Sequence, residues 1–325
     1  MPFARSLKIG LVVLLCGLAS AAPRADNYPV RPIRIIIPFS PGGPNDLIGR
    51  PLAEKMSESL GQPFVIENRP GAQGQIAALA VARSTPDGYT MLMTTGSHIA
   101  NQVFYARLQY DALKDFTPIT QLAQSYGSVM VSRPGLEAKT APDLIALAKQ
   151  NPGRFSFGHP GVGNANHIAG ELFQKIAGVQ LLAVPYKGSG SYVTDVISGQ
   201  VDLAFMSSVL ATPNVQSGLL RALATTGPRR TPSLPEVPTF IELGYPDFDW
   251  IGYFGLWFPA GTPRERVELI SATARKALET PELKRVVADG GLEIVGSTPK
   301  EFARYLEKDY AHQRAVMQRI GLQPQ

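Results

Sequence analysis

Apolar residues recur along the chain in two rhythms, short β-branched runs and a helical spacing, and the two alternate. The run "IRIII" and the proline after it, residues 33–38, predict a buried strand. Ile48, Leu52, Met56 and Leu60 stand four apart and predict a helix over 45–60, stopped by Gly61. Pro51 inside that span predicts either a kink or a helix that begins there. Residues 64–67, "FVIE", read as a second strand and 72–83 as a helix. "TPDG" at 85–88 is a turn, and "YTMLMT" at 89–94 a third strand. The same order returns further on. Helices are predicted over 143–150, capped by Thr140, then over 166–177 and 192–198. Strands are predicted over 155–158, 181–185, 201–206 and 219–225.

Strands alternating with helices imply mostly parallel sheets covered on both faces. Two such units predict an α/β fold of two lobes with a ligand cleft between them, where the carboxyl ends of both sets of strands converge. The first lobe is read as 27–123 with 250–325, and the second as 124–226. The apolar stretch 116–132 reads as one long strand crossing between lobes. Residues 227–249, rich in Pro and Gly, read as an irregular return connection, followed by a strand at 250–258. Outer helices are expected over 263–279 and 299–320. A chain of 325 residues has room for two such units.

The N-terminus changes where this fold is expected to work. Arg5 and Lys8 precede the short apolar stretch "IGLVVLLCGL" at 9–18, and Ala19, Ser20 and Ala21 follow. That is the layout of a cleaved export signal over 1–22, too short to span a bilayer. A periplasmic location follows from it. The single cysteine, Cys16, lies inside this segment. Leu15 before it argues against lipidation, and the mature chain is expected to carry no disulfide, thiol nucleophile or cysteine metal site. Loss of Arg5 and Lys8 lowers the formal charge from +5 to +3. Basic runs interleaved with aromatics are missing, so nucleic acid is not an expected partner.

Candidate chemistry gathers in two loops. In "PFSPGGPND" a strand enters a glycine turn and then a helix. Gly42 and Gly43 allow close backbone approach, and Asn45 or Asp46 is expected to cap the helix. Free N–H groups at a helix start bind anions. The second lobe repeats the device in "FGHPGVGNANHIAGELF": Gly161 and Gly163 lie in the loop, and Asn164 or Asn166 caps. A ligand held between two helix starts is expected to be an anion. His98, in "TTGSHIANQ", is open to either ligand contact or packing, and His167 to bracing the helix start. Lys187, in "VPYKGSG", is open to facing the cleft or solvent. His159 and His167 form at most half of a metal site, and no matching carboxylate cluster accompanies them. Neither "GVGNAN" nor "GSGSYV" completes a nucleotide-binding glycine motif, and no cofactor is expected.

The stretches "YPVRPIRIIIPFSPGGPNDLIGR" at 28–50, "VIENRPGAQGQIAA" at 65–78 and "TPDGYTMLMTT" at 85–95 resemble the Bug family, the periplasmic solute-binding proteins of tripartite tricarboxylate transporters. So do "NPGRFSFGHPGVGNANHIAGELF" at 151–173, "VPYKGSGSYVTDVISGQVD" at 184–202, "LRALATTGPRRTPSLPEVPTFIELGYP" at 220–246 and "GLWFPAGTP" at 255–263. The resemblance covers nearly the whole mature chain. It implies a two-lobed, type II-like periplasmic binding protein that closes on a small carboxylate and serves the membrane subunits of such a transporter, as a monomer. Carried over, the ligand-binding residues are Phe39, Ser40, Gly42, Gly43, Asn45 and Asp46 in the first loop. In the second they are His159, Gly161, Gly163, Asn164, Asn166 and His167, with Thr95, Ser97, His98 and Lys187 as further contacts. His159 and Pro160 replace the small residues usual in the family, and Pro51 interrupts its usual helix formers.

Two other functions compete. A secreted hydrolase or isomerase would use a base such as His98 or His167. A ligand-loaded partner of a membrane sensor kinase would have the same fold. With no nucleophile–base–metal set apparent, binding without chemistry is the expected function, and no catalytic residue is named.

Overall fold

The structure is a computed structural model that describes residues 27–186 and 189–323. The proposed export signal and Lys187 lie outside them. The first lobe opens with β1 (Ile33–Ile37), α1 (Pro44–Leu60), β2 (Phe64–Asn68), a 3₁₀ turn (Ala72–Gly74) and α2 (Gln75–Ala82). Then follow β3 (Thr90–Thr95), α3 (Ser97–Phe104) and β4 (Phe116–Ser125). The second lobe holds β5 (Ser128–Ser132), α4 (Ala141–Gln150), β6 (Ser156–His159), α5 (Ala165–Ala177) and β7 (Leu182–Pro185). It continues with α6 (Ser189–Ser198), β8 (Leu203–Ser207), α7 (Ser208–Gln216) and β9 (Arg221–Thr225). The chain returns to the first lobe in β10 (Tyr253–Pro259), α8 (Arg264–Leu278), α9 (Pro281–Asp289), β11 (Leu292–Ile294) and α10 (Pro299–Ile320).

Each lobe has one sheet, ordered β11-β4-β10-β3-β1-β2 in the first and β7-β6-β8-β5-β9 in the second. The expectation of mostly parallel sheets is corrected here. β1 pairs parallel with β2 and β3, and β6 with β7 and β8, but the strands at or after the crossings run antiparallel. A chain that enters and leaves a lobe through neighbouring strands must lay them in opposite directions. Helices cover both faces of each sheet. β1 is buried on both sides except at Arg34, as its unbroken isoleucines require. α1, α8 and α9 pack on one face of the first sheet, around Ile35, Leu52, Ile270 and Val287.

The long strand expected over 116–132 is two strands in two sheets. The break falls at Tyr126 and Gly127. There the two crossings meet backbone to backbone. A side chain on Gly227 would collide with the Tyr126 carbonyl, and one on Gly127 with the Gly227 amide. Around them Ser128 N–H donates to Thr226 Oγ1 at 2.9 Å, and Trp250 N–H to the Thr226 carbonyl at 3.0 Å. Gly252 N–H donates to Ser125 Oγ at 2.8 Å. Three chain segments are thus tied together where the lobes join.

Two helix starts differ from expectation in instructive ways. α1 begins at Pro44, with Gly43 at the cap and no side-chain cap bond, so neither Asn45 nor Asp46 caps it. Proline suits the first helical position because its missing N–H is not needed there. Pro51 lies inside α1, which runs on to Gly61. α4 has its Thr140 cap, completed by Asp143 as a capping box.

Candidate functional site

The carboxyl ends of β1, β2 and β3 open into three loops of the first lobe, and that of β6 opens into the facing loop of the second. In the first loop, Gly42 has a φ of +81° and Gly43 caps α1. Pro44 has no N–H, and the amides of Asp46 and Leu47 both donate to the Gly43 carbonyl. That leaves the N–H groups of Gly43 and Asn45 without partners among the described residues. Asn45 is 3% exposed and its Oδ1 is likewise unpaired. Ser40 is exposed and Phe39 half-buried against the core.

Asp46 does not join them. Its Oδ2 accepts from Asn68 Nδ2 at 3.0 Å. Its Oδ1 sits 2.7 Å from Arg50 Nη2, in ion-pair contact rather than hydrogen-bond alignment. Asn68 Nδ2 also donates to the Phe39 carbonyl at 3.0 Å. Asp46 therefore braces the loop through Asn68, and its charge is already matched. A free carboxylate at that place would repel an anion.

At the end of β3, Thr95 and Ser97 pair through their hydroxyls at 2.9 Å. His98 turns away into the core. Its ring stacks on Tyr110 at 5.6 Å and meets Phe116 at 4.5 Å and Trp257 at 5.4 Å. It is a packing residue, which corrects its assignment as a ligand contact. Burial lowers its pKa to about 4, against a hydrogen bond to the backbone of Ala112.

In the second lobe Asn164 caps α5, accepting from Asn166 N–H at 3.0 Å. The Asn166 side chain reaches Tyr192 Oη at 3.4 Å and Ser128 Oγ at 3.5 Å. His159 and His167 lie with ring centroids 4.4 Å apart, both buried. Gly163 N–H donates to His167 Nδ1 at 3.3 Å, so the proton of that ring sits on Nε2, facing Glu171 Oε1 at 3.6 Å. Burial and then the neighbouring His159 lower the His167 pKa to about 4, and burial lowers that of His159. Both rings are neutral at pH 7. No group of three or more His, Cys, Asp or Glu suited to a metal occurs among the described residues.

Gly161 and Gly163 take a different part from the one expected. Both have positive φ, +122° and +79°. What approaches them closely is the other lobe. Gln73 Nε2 lies against Gly161, and the Phe104 ring lies on Gly163, where an added Cβ would stand 2.6 Å from it. Phe104 belongs to α3 of the first lobe yet packs in the core of the second, with Phe157 and Ile168. Phe104, Gln73, Asn68 and Asn101 were not legible as site residues. "GAQG" offered one signal, since two glycines enclose two residues that read as the start of a helix. Two surface hollows of about 450 and 480 Å³ lie elsewhere, beside Arg275 and Lys276 and between Tyr105 and Arg314, and neither touches these loops.

The buried histidines set an acid limit on stability. Their folded pKa values lie below the ordinary 6.5, so the unfolded chain binds protons that the native chain refuses. Stability is then fully present above pH 6.5 and lost as the pH falls towards 4. His98 alone accounts for about 3 kcal/mol of that loss, at roughly 1.4 kcal/mol per pH unit. Urea unfolding between pH 7 and 4 is expected to show this decline, and His98→Phe to make it shallower, with the His167 share remaining. An unchanged slope in that variant would place the titration elsewhere.

Residues 48–322 match the family model described as "Tripartite tricarboxylate transporter family receptor". The protein BugT of Bordetella pertussis is 35% identical over 317 residues, which cover 96% of each chain. The structure of the periplasmic binding protein BugD superposes with a TM-score of 0.84 at 30% identity, covering 92% of this chain and all of that one. A protein of R. palustris solved with adipate superposes with a TM-score of 0.86 at 33% identity, again over 92% of this chain and all of the other.

Proposed function

The chain belongs to the tripartite tricarboxylate transporter receptor family, and from that premise we propose that it captures a small carboxylate between its lobes and delivers it to the membrane subunits of such a transporter. The observation that carries the reading is the start of α1. The unpaired N–H groups of Gly43 and Asn45 stand at the positive end of a 17-residue helix. In the second lobe α5 begins at Ala165 after its Asn164 cap, next to the two neutral histidines, His159 at the end of β6 and His167 in the first turn. Cations near the first loop are already matched, Arg50 by Asp46 and Arg69 by Glu67. The ligand is held by backbone and neutral side chains, and its charge is met by helix ends.

The family and its structural neighbours are substrate-binding proteins of the periplasm, and no helix among the described residues is long and apolar enough to cross a membrane. We read this chain likewise as exported by a cleaved leader and as binding without conversion. The relative solved with adipate supports a carboxylate as the ligand class.

Titration calorimetry with linear mono- and dicarboxylates, adipate among them, is the test. At least one is expected to bind in the micromolar range, which needs about 8 kcal/mol. Mass analysis is expected to recover it unchanged, and small-angle scattering to show a smaller radius of gyration at saturation. Conversion of the ligand would make the protein an enzyme. Failure of every carboxylate to bind would refute the reading.

A further inference from the structure

The turn after β2 has a backbone that a helix start does not explain. Gly71, Ala72, Gln73 and Gly74 all have positive φ, at 130°, 46°, 53° and 88°. Ala72 and Gln73 are the non-glycine residues with positive φ among those described. Side chains of L-residues rarely sit there, and such conformations persist where the surroundings over-determine them. Here two neighbours do so. Asn101, 4% exposed on α3, donates Nδ2 to the Gln73 carbonyl at 3.0 Å. Gly74 lies so close to Pro38 that an added Cβ would stand 3.0 Å from the proline Cβ.

The result of this constraint is where the Gln73 side chain goes. It leaves the first lobe and crosses to the second, with Nε2 3.5 Å from the Pro160 carbonyl. It rests on Gly161, where the missing side chain makes room. The turn therefore packs on the residue before the first glycine loop, and its carboxamide touches the second. Gln73 spans the gap that the two loops enclose.

We propose that Gln73 is a specificity-determining residue of the carboxylate site, a neutral wall that closes one side of the gap and limits the length of ligand it admits. The inference rests on the reading of that gap as a carboxylate site. A carboxamide neither repels an anion nor neutralises it, so its effect is one of shape together with a hydrogen bond. Shortening it removes matter from the wall without changing charge.

Two variants do this without straining the turn. Glycine adopts the φ of position 73 at no steric cost, and asparagine tolerates it better than most residues while keeping a carboxamide. Wild type, Gln73→Gly and Gln73→Asn are compared by calorimetry against linear mono- and dicarboxylates of about four to eight carbons, which differ by single methylenes that a pocket can discriminate. Thermal unfolding checks that both variants are folded. Gln73→Gly is expected to improve the longest acids relative to the shortest by about tenfold, the scale on which pockets discriminate methylenes. Gln73→Asn is expected to fall between it and wild type. If both variants change every affinity by the same factor, the side chain only holds the lobes together and the proposal is wrong. Unchanged affinities overturn it equally. If wild type binds none of the series, the carboxylate reading itself fails, and this inference with it.

Discussion

Replacing Gly43 with valine is expected to abolish carboxylate binding while leaving the chain folded. The backbone at Gly43 has φ −79° and ψ 176°, an extended conformation open to any residue. A Cβ there meets only the Ser40 carbonyl, at an ordinary 3.5 Å. Valine is a poorer cap than glycine, at a cost of about 1 kcal/mol, which a chain of this size tolerates. What the side chain does obstruct is the space in front of the Gly43 and Asn45 amides. Two hydrogen bonds to a charged ligand contribute roughly 1.5–3 kcal/mol each. Their loss weakens binding by at least about a hundredfold. Calorimetry with the tightest carboxylate, beside circular dichroism on the same sample, decides the matter. The neighbouring Gly42 would be a poor choice, because its φ of +81° strains any side chain and mixes folding with binding. Binding by Gly43→Val at wild-type strength would mean that the ligand sits away from the start of α1.

The elements that the pattern foretold are those whose own residues carry the signal. The isoleucines of β1 and the four-residue spacing of α1 are such cases, as is α10 with its ends at Pro299 and Ile320. What escaped depends on distant partners. α3, "SHIANQVF", is short and half polar, and takes its place only because Gly96 bonds to the Tyr253 carbonyl and Phe104 finds the other lobe. Within the apolar run 116–132 Gly127 is the hint of where one sheet ends and the next begins, but apolar and β-branched residues on both sides of it make the run read as one strand. That break is set by Gly227, a hundred residues on. His98 followed the same rule. Its neighbours in sequence place it at the end of a strand, but Phe116 and Trp257 decide that it is core.

The glycines show the limit most clearly. Gly161 and Gly163 announced a close approach, and the approach exists, but a sequence does not say what approaches. A ligand, a main chain and a side chain from the other lobe all require the same missing Cβ. Gly227 answers to a main chain, and Gly161 and Gly163 to side chains. Gly42 and Gly43 have no crowded neighbour in the chain itself, which leaves this loop an open side that a ligand can use.

Gly163→Ala is accordingly expected to damage the union of the lobes. Its φ of +79° costs a non-glycine residue about 1–2 kcal/mol. The new methyl group would press on the Phe104 ring, which is 1% exposed and has no space to turn into. Overpacking of that kind costs a further 1–3 kcal/mol. Together the loss is about 2–5 kcal/mol, measurable by urea unfolding. Because the ring comes from the first lobe and the glycine from the second, the strain is also relieved by drawing the lobes apart. Scattering on the variant is expected to show less compaction with ligand than wild type. A double-mutant cycle separates this contact from general damage. Phe104→Ala alone leaves a cavity worth about 3–5 kcal/mol. Adding Gly163→Ala to it costs only the backbone strain, since the methyl group then enters empty space. The two changes together should therefore cost less than their sum by about 1 kcal/mol or more. Strict additivity would show that Phe104 does not seat on Gly163 in solution.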